Sequence, residues 1–403
     1  MPRICAELDP SRPYWAESPW SGSLELDPND STRGDRHIWD ATAKVEGLRS
    51  ITPRFASEFG HQSPPALTSL AHALHIDEET LASMTAADGC ALICDRQRAT
   101  GGDTPQYGEF LSKRFYPAQD FASWIVQAQM VQAKAMRIAY SWYRTNRPRC
   151  SGALVWQLND AWTGHSWSLV DVQGRAKPAW HAVRESCAPR MLTIHQRDGE
   201  WIVDAVNDSP NAWKSCVCLL KCANAQRADS SANLREHFLE GFIVEPWQTI
   251  TVLRIPQEFL PDHKSILFAE APTEFRADPI ATAWASGAHD RELQTPSGEI
   301  YVPKAMMKWM DHPPTVRGKL ASATILLHAM SPIVDGIVVP RGNWVTVNPM
   351  LISLPPGESQ SVEIVWRAES GQNSARNFLA ESFRVDLFAA GQLIAILNSS
   401  LTP

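Results

Sequence analysis

Apolar and polar positions change their spacing along the chain, and the change divides it near Pro189. Before this point, short apolar segments alternate with helical patterns, which predicts an α/β region. The clearest helix is predicted over 121–144, where apolar residues recur at steps of four and three: Trp124, Ala128, Val131, Ala135, Ile138 and Trp142. An apolar run over 151–156 follows and is typical of a strand that is covered on both faces of a parallel sheet.

The chain after Pro189 is predicted to be all-β, because short alternating segments are separated by Pro, Gly and Asn. The first set of predicted strands lies at 201–206, 216–222, 241–244, 249–255 and 265–269. A polar stretch over 276–297 is interpreted as a linker. The second set lies at 320–327, 333–339, 361–366, 383–387 and 392–397. We therefore expect an α/β region at 1–189, a β-sandwich with its linker at 190–296, and a second β-sandwich at 297–403.

The composition is that of a soluble globular protein, with 44% hydrophobic and 20% charged residues among 403. The net charge is −7 and the basic residues are scattered, which argues against a nucleic-acid partner. The amino terminus lacks the pattern of a secretory signal, and no apolar run is long enough to span a membrane. We expect a cytoplasmic protein that has no membrane partner.

Two residue types change this picture. Three of the eight cysteines, Cys216, Cys218 and Cys222, fall on one face of a predicted strand without a fourth ligand at zinc spacing, so we expect reduced thiols and no metal or cofactor. The 16 tryptophans are far more than usual. Flat aromatic rings pack well against sugar rings, which favours a carbohydrate ligand, although core filling is the more common explanation for any single tryptophan.

Three segments beside apolar runs carry the candidate chemistry. The first is 54–60, an apolar strand that ends in Glu58 and Gly60; in a parallel barrel the carboxyl ends of strands carry the catalytic groups. The polar and aromatic residues of the other two are His37, Trp39 and Asp40 in 34–40, and Trp156, Asn159, Asp160 and Trp162 in 156–171. The alternative interpretation of Glu58 is a salt-bridged glutamate at a strand end, and that of 34–40 is a capped turn.

In this order, the segments resemble the β-mannosidases of the glycoside hydrolase family (family 2) that also contains β-galactosidases and β-glucuronidases. The resemblance is carried by Arg12-Pro13-Tyr14-Trp15 with Ser18-Pro19, by Gly34-Asp35 with His37 and Trp39-Asp40, by Arg54-Phe55 with Ser57-Glu58-Phe59-Gly60, by 152–162, and by Ser166-Trp167-Ser168 with Lys177-Pro178. It covers the first 190 residues strongly and the β-rich remainder weakly, chiefly through Asn348 and 354–358.

The resemblance implies a fold and a reaction. The fold would be the C-terminal half of a (β/α)₈ barrel, with strands five to eight at 13–19, 34–40, 54–60 and 152–156, followed by two immunoglobulin-like β-sandwiches. The reaction would be hydrolysis of terminal β-D-mannosides with retention, on a β-mannoside oligosaccharide or glycoside. Glu58 would be the nucleophile. The substrate-binding residues would be His37, Trp39, Asp40, Trp156, Asn159, Asp160 and Trp162.

A retaining glycosidase also needs an acid/base carboxyl about 5 to 5.5 Å from the nucleophile. The family places this glutamate after an asparagine on an earlier strand, and no such segment precedes Arg12. Glu7 and Glu17 are the acids near the start, and neither has that context. We therefore expect a chain that begins inside the barrel and lacks its acid/base, with an N-terminal half supplied in trans as one possible partner.

Some positions depart from the family pattern, and several functions stay open. Ile38 replaces an aromatic residue, Ala16-Glu17 replace a Pro-Ser pair, and Thr163 replaces a proline. These changes leave the reaction class intact and make the bound sugar less certain. The alternatives are a related β-glycosidase such as a β-glucuronidase or a glucosaminidase, and a non-catalytic fragment that binds carbohydrate or complements another chain.

Overall fold

The computed structural model describes residues 1–40, 45–94, 96–97, 111, 115, 117–224, 235–255, 265–271, 281–286, 303–310, 315–317, 319–367, 384–389 and 392–398. It is rich in β-strands, with helices concentrated in the first 190 residues. Within these ranges, no helix has both the length and the apolar character needed to cross a membrane.

The first part of the chain contains three short parallel strands and most of the helices. Its elements are α1 (Pro2–Leu8), β1 (Arg36–His37), a 3₁₀-helix (Val45–Ser50), β2 (Ala56–Phe59), α2 (Leu67–Leu74), α3 (Glu78–Ser83), α4 (Ala86–Cys94), α5 (Phe121–Thr145), β3 (Ala153–Val155) and α6 (Pro178–Ser186). The strands pair in the order β1-β2-β3, and both pairings are parallel. The carboxyl ends of all three strands therefore meet at one edge of the sheet.

One predicted strand is absent. Residues 13–19, expected as a barrel strand, form no ladder, and their neighbour Trp20 makes only an isolated antiparallel bridge with Asp35. The physical reason lies in Pro13 and Pro19, which have no backbone N–H to donate to a neighbouring strand. The segment instead forms an irregular loop that lies beside β1.

Helix α5 supports the sheet and confirms the helix predicted over 121–144, with one further residue at its end. Its N-cap Asp120 accepts a hydrogen bond from the backbone N–H of Ser123 at 2.8 Å, which satisfies one of the free donors of the first turn. The rings of Tyr140 and Tyr143 pack edge-on against Phe59, with centroids 5.3 and 5.5 Å away. This aromatic contact holds the end of β2 against the helix.

The second part contains β4 (Arg190–Arg197), β5 (Glu200–Asn207), β6 (Trp213–Asn224), β7 (Arg235–Val244), β8 (Thr249–Arg254), β9 (Ser265–Ala271) and β10 (Ala281–Ser286). These strands form two antiparallel sheets, β4-β5-β8 and β10-β9-β6-β7. Both sheets contribute to one buried core, which includes Leu192, Val203, Trp213, Val244 and Leu267.

Two features of this part differ from the sequence prediction. The linker predicted over 276–297 is wrong at 281–286, which form β10 and pair with β9; the rest of that stretch lies outside the described residues. Strand β4 was not predicted. It pairs with β5 through a tight turn whose central residues, Asp198 and Gly199, have φ of +52° and +82°, as hairpins of this kind require.

The third part contains β11 (Ala305–Trp309), β12 (Thr315–Arg317), β13 (Leu320–Ala329), β14 (Ile333–Pro340), β15 (Trp344–Asn348), β16 (Leu351–Leu354), β17 (Ser359–Arg367), β18 (Arg384–Ala389) and β19 (Gln392–Asn398). One sheet has the order β11-β13-β17-β15, with β12 also paired to β13, and the other has the order β16-β14-β18-β19. Their buried residues belong to the same hydrophobic cluster as α5 and the parallel sheet. The third part is therefore packed firmly against the first.

Candidate active site

Glu58 lies at the end of the central parallel strand. In β2 it is paired with His37 of β1, and the backbone N–H of Ile38 donates to its carbonyl at 2.8 Å. On the other side, the backbone N–H of Trp156 donates to the carbonyl of Phe59 at 2.8 Å. Glu58, His37 and Trp156 are thus held at the same edge of the sheet by backbone pairing alone.

Two neighbours contact the same oxygen of the Glu58 carboxyl. The indole Nε1 of Trp39 donates to Oε2 at 3.2 Å, and Nδ1 of His37 lies 3.3 Å from Oε2. The Glu58 side chain keeps 26% of its surface exposed, so a ligand can reach it. The three residues predicted as nucleophile and binding groups therefore form one contiguous cluster.

A second layer lies behind His37. Its Nε2 is 3.1 Å from the Ser18 hydroxyl, and that hydroxyl donates to Oδ2 of Asp35 at 2.6 Å. The other Asp35 oxygen, Oδ1, accepts from the indole Nε1 of Trp15 at 2.7 Å and from the backbone N–H of Trp20 at 3.0 Å. Burial raises the pKa of Asp35, but the hydrogen bonds it accepts outweigh burial, and its pKa falls below the ordinary value.

Sequence reasoning did not assign Ser18 and Asp35 to the site, although both lie in motifs that carry the resemblance. Their hydrogen bond joins residues 17 positions apart through an irregular loop. The signal that was present is the Ser18-Pro19 and Gly34-Asp35 pairs within the matched segments. No periodicity brings these two pairs together, because neither belongs to a helix or a long strand.

Gly60 leaves space for the aromatic residues beside Glu58. A Cβ added at Gly60 would lie 2.2 Å from the carbonyl oxygen of Trp156 and 3.1 Å from the ring of Trp167. Trp167 in turn packs edge-on against Trp39, with ring centroids 5.7 Å apart. Because Trp39 donates to Glu58, the close approach at Gly60 helps to place a direct neighbour of the carboxyl group.

Several aromatic side chains of the three candidate segments and of the loop before β1 are exposed. Trp156 directly follows β3 and is 43% exposed, and Trp162 is 40% exposed. On the other side of Glu58, Trp15, whose indole is bound to Asp35, is 49% exposed. Exposed tryptophans of this kind offer flat apolar faces to a ligand.

Asp160 is placed differently from these tryptophans. It is 5% exposed, and its two oxygens accept the hydroxyl protons of Ser166 and Ser168, each at 2.6 Å. The geometry gives Asp160 a role in holding the loop that carries Trp156 and Trp162. Its neighbour Asn159 is exposed, and the Asn159 side-chain amide donates to the Asp160 carbonyl at 3.3 Å.

Asp40, which is predicted from the sequence to be a substrate-binding residue, makes an ion pair with Arg36. Its Oδ2 accepts from Nη2 of Arg36 at 2.6 Å, and its side chain is 60% exposed. Arg36 also donates to the Ser31 hydroxyl. Among the described contacts, Asp40 is therefore an ion-pair partner of β1.

A buried cation, Lys177, lies next to the loop that contains Asp160. Lys177 is 2% exposed, and its Nζ donates to the carbonyl of Ser63 at 3.0 Å. Burial lowers the pKa of Lys177 to about 8, while the nearby carboxylates of Asp160 and Asp171 act to raise it. Gln132 of α5 completes the support, with its Nε2 within 3.1 Å of the carbonyls of His61, Trp167 and Ser168.

The described contacts join no second carboxyl directly to Glu58. Glu7 lies on α1, where it forms a largely exposed pair with Arg3 at 3.7 Å, and no described hydrogen bond or ion pair joins Glu17 to Glu58. Within the described ranges, no group of three or more His, Cys, Asp or Glu side chains has an arrangement that could hold a metal ion.

Comparisons with known proteins agree on the kind of molecule. No protein-family model matches the chain. The chain is 25% identical over 394 residues to β-mannosidase B of Aspergillus terreus, covering 90% of this chain and 43% of that protein. It is 30% identical over 233 residues to β-mannosidase B of Thermothelomyces thermophilus, covering 54% of this chain and 26% of that protein. The chain thus spans less than half the length of these relatives.

Solved structures show the same fold. A β-D-mannosidase from Dictyoglomus thermophilum matches 96% of this chain and 44% of its own, with a TM-score of 0.72 at 21% identity. An exo-chitosanase from Amycolatopsis orientalis matches 86% of this chain and 42% of its own, with a TM-score of 0.61 at 14% identity. In sequence the chain is similar to β-mannosidases, and in fold it is similar to a β-D-mannosidase and to an exo-chitosanase.

Proposed function

We propose that this chain carries the nucleophile side of a retaining β-mannosidase site, with Glu58 as the nucleophile. The observation that carries the proposal is the position of Glu58 at the carboxyl end of β2, with His37 and Trp39 both in contact with its Oε2. A nucleophilic carboxylate needs such neighbours, because they hold it in one orientation. The names of the curated relatives support a β-mannoside as substrate.

The proposed architecture is the C-terminal half of a (β/α)₈ barrel at 1–189 followed by immunoglobulin-like sandwiches at 190–296 and 297–403. Three parallel strands with α5 and α6 support the first element. Two pairs of antiparallel sheets support the other two. In a barrel of this kind the site lies at the carboxyl ends of the strands, where Glu58 and Trp156 are found.

We place the acid/base outside these 403 residues. The sequence contains no Asn-Glu pair, and no second carboxyl among the described residues contacts Glu58. Retention requires a carboxyl about 5 to 5.5 Å from the nucleophile, which protonates the leaving oxygen and then activates water. Further barrel strands, in the same polypeptide or in a separate one, would supply it.

We also propose that the protein is cytoplasmic.

The proposed substrate is a terminal β-D-mannoside in an oligosaccharide or glycoside. The exposed faces of Trp156 and Trp162 would pack against pyranose rings, and His37, Trp39 and Asn159 would supply polar contacts. Asp40 and Asp160, which bind Arg36 and the two serines, would act by shaping the site.

Trapping of the glycosyl-enzyme tests the proposal. The reagent is a 2-deoxy-2-fluoro-β-mannoside with a dinitrophenolate leaving group. This leaving group departs without being protonated, so the chain should be labelled even without an acid/base. Intact-mass spectrometry should show one added fluoromannosyl group, and peptide mapping should place it on Glu58. Glu58→Gln should abolish the label, whereas Glu200→Gln, which changes an exposed carboxyl paired with Arg254, should not.

The same reagent separates the alternatives. Labelling by the corresponding β-glucoside or β-glucuronide in preference to the β-mannoside would identify a related β-glycosidase. A folded chain that binds mannosides and is never labelled would be a carbohydrate-binding or complementing fragment, and the assignment of Glu58 as nucleophile would be abandoned.

A further inference from the structure

A continuous series of side-chain contacts runs from Asp35 through Ser18 and His37 to Glu58. We propose that Asp35 and Ser18 are positioning residues that fix a proton on Nε2 of His37, so that the Nδ1 edge of the ring faces Glu58 with a shared proton between them. The proposal deepens the function proposed above and rests on Glu58 being its nucleophile.

The series begins at Asp35, a carboxylate whose surroundings hold it as a hydrogen-bond acceptor. Asp35 is 7% exposed, and hydrogen bonds from Trp15, Trp20, Ser18 and Ser57 all converge on it. An ionised carboxylate only accepts hydrogen bonds, and several donors together favour the ionised form. The lowered pKa of Asp35 is consistent with this arrangement. At neutral pH Asp35 is therefore a fixed acceptor.

Ser18 connects Asp35 to His37, and its hydrogen bond to Asp35 determines which hydrogen bond it can make with His37. A hydroxyl has one proton to donate, and the short contact of 2.6 Å commits the Ser18 proton to Oδ2 of Asp35. The Ser18 oxygen is also 3.3 Å from the Ser57 hydroxyl, which itself bonds to Asp35. With its own proton on Asp35, the Ser18 oxygen can only accept from His37, 3.1 Å away, so Nε2 carries a proton. Asp35 thus decides the protonation of a ring that it does not touch.

The consequence appears at the other edge of the ring. Nδ1 of His37 lies 3.3 Å from Oε2 of Glu58, and two bare acceptors at this distance would repel each other. One proton must therefore lie between them. If it belongs to His37, the ring is an imidazolium beside an ionised Glu58, which is the form able to attack a sugar. If it belongs to Glu58, the carboxyl is neutral and does not attack.

The backbone keeps the ring in this position. The His37 N–H donates to the side-chain oxygen of Asn29 at 2.9 Å, and the pairing of β1 with β2 sets His37 opposite Glu58. Trp39 donates to the same Oε2 and leaves the number of protons unchanged. The proton arrangement is therefore set by the Asp35–Ser18 contact.

Replacing Asp35 by Asn should reverse the arrangement. If the amide presents its NH₂ group to Ser18, the hydroxyl no longer has an acceptor there, and its proton can turn to Nε2 of His37. A neutral ring with its proton on Nδ1 then satisfies both neighbours by donating to the Glu58 carboxylate. Asp35→Asn is thus expected to remove the proton from Nε2 of His37 and to leave a neutral ring with its proton on Nδ1.

Nitrogen NMR of the full chain labelled with ¹⁵N-histidine measures this directly. The chain has 12 histidines, and the His37 signals are assigned as those lost in His37→Gln. At neutral pH we expect a protonated Nε2 in the unaltered chain, and a bare Nε2 with a protonated Nδ1 in Asp35→Asn. Asp30→Asn, which changes a half-buried carboxyl of the same loop bonded to Thr32, should leave His37 as it was.

Ser18→Ala decides the matter if Asp35→Asn does not fold. This variant keeps the Asp35 carboxylate and its bonds from Trp15 and Trp20 but removes the hydroxyl that accepts from His37, so the fraction of rings with a bare Nε2 should increase. A bare Nε2 in the unaltered chain, or an unchanged His37 in folded Ser18→Ala, would overturn the proposal. Because this measurement needs no substrate, its result is independent of whether Glu58 is labelled.

Discussion

The imidazole Nδ1 of His37 lies 3.3 Å from Oε2 of Glu58, and the two residues face each other across the parallel pairing of β1 and β2. Their side chains therefore meet because their backbones are neighbours, and the contact does not depend on a flexible loop. The rigid placement is what a positioned nucleophile requires.

His37→Ala should slow the labelling of Glu58 by the activated fluoromannoside about ten- to a hundredfold, since a hydrogen bond to a charged group contributes about 1.5–3 kcal/mol. The rate of mass increase measures the effect. His72→Ala, at an exposed position of α2, is the matched control and should label at the normal rate. Equal rates for both variants would remove His37 from the site.

Gly60→Ala should impair the site and destabilise the first part of the chain by about 1–3 kcal/mol, because the added methyl meets the Trp156 carbonyl at 2.2 Å and must displace backbone. Urea unfolding and the labelling rate measure the two effects. Gly336→Ala, which meets an Ile333 methyl group at 2.7 Å in the third part, is the comparison. It should cost stability without changing the labelling rate of the folded protein.

Acid should destabilise the protein partly through His165. Burial lowers the pKa of His165 to about 3, with further lowering by Lys177 and His61, against 6.5 when the ring is free. The unfolded chain binds this proton first, so the contribution is fully present above pH 6.5 and is lost as the pH falls toward 3. Between pH 7 and 4, the unaltered chain should lose about 3 kcal/mol more stability than His165→Gln in urea titrations.

The control for this acid sensitivity is His72→Gln, which changes an exposed histidine on α2 and should lose as much stability as the unaltered chain. Carboxylates titrate in all three proteins and cancel in the comparison. An equal loss in His165→Gln would show that His165 is not kept neutral by burial.

Lys177→Met should destabilise the chain by about 3 kcal/mol or more, because it removes a buried charge that faces the carboxylates of Asp160 and Asp171. The pKa of Lys177 is lowered from 10.5 to about 8, chiefly by burial, so its effect depends on pH. Between these values the unfolded state binds more protons, and the unaltered chain should gain stability relative to the variant as the pH rises.

Lys214→Met, at an exposed position of β6, is the matched substitution and should change the free energy of unfolding little. If both lysine variants unfold at the same urea concentration, the buried cation under the site loop has no structural importance.

The local sequence determined the regular elements and the candidate nucleophile. The steps of four and three residues from Trp124 to Trp142 predicted α5 almost to its ends, because residues at this spacing fall on one face only when the segment is helical. Alternation located strands such as β5 and β13. Strand β4, and β10 within the predicted linker, were not predicted. A short segment with a weak pattern becomes a strand only if it finds a pairing partner, and the local sequence does not show that partner.

For the site, the motifs in the sequence pointed to Glu58, His37 and Trp39, and backbone pairing of β1 with β2 brought them together as neighbours. Only the tertiary structure decided that Asp160 points into a buried serine pair, that Asp40 binds Arg36, and that Asp35 reaches His37 through Ser18. The physical reason is that these contacts join side chains from irregular loops. No repeat in the sequence records where such loops meet, because their paths are set by the packing of the whole fold.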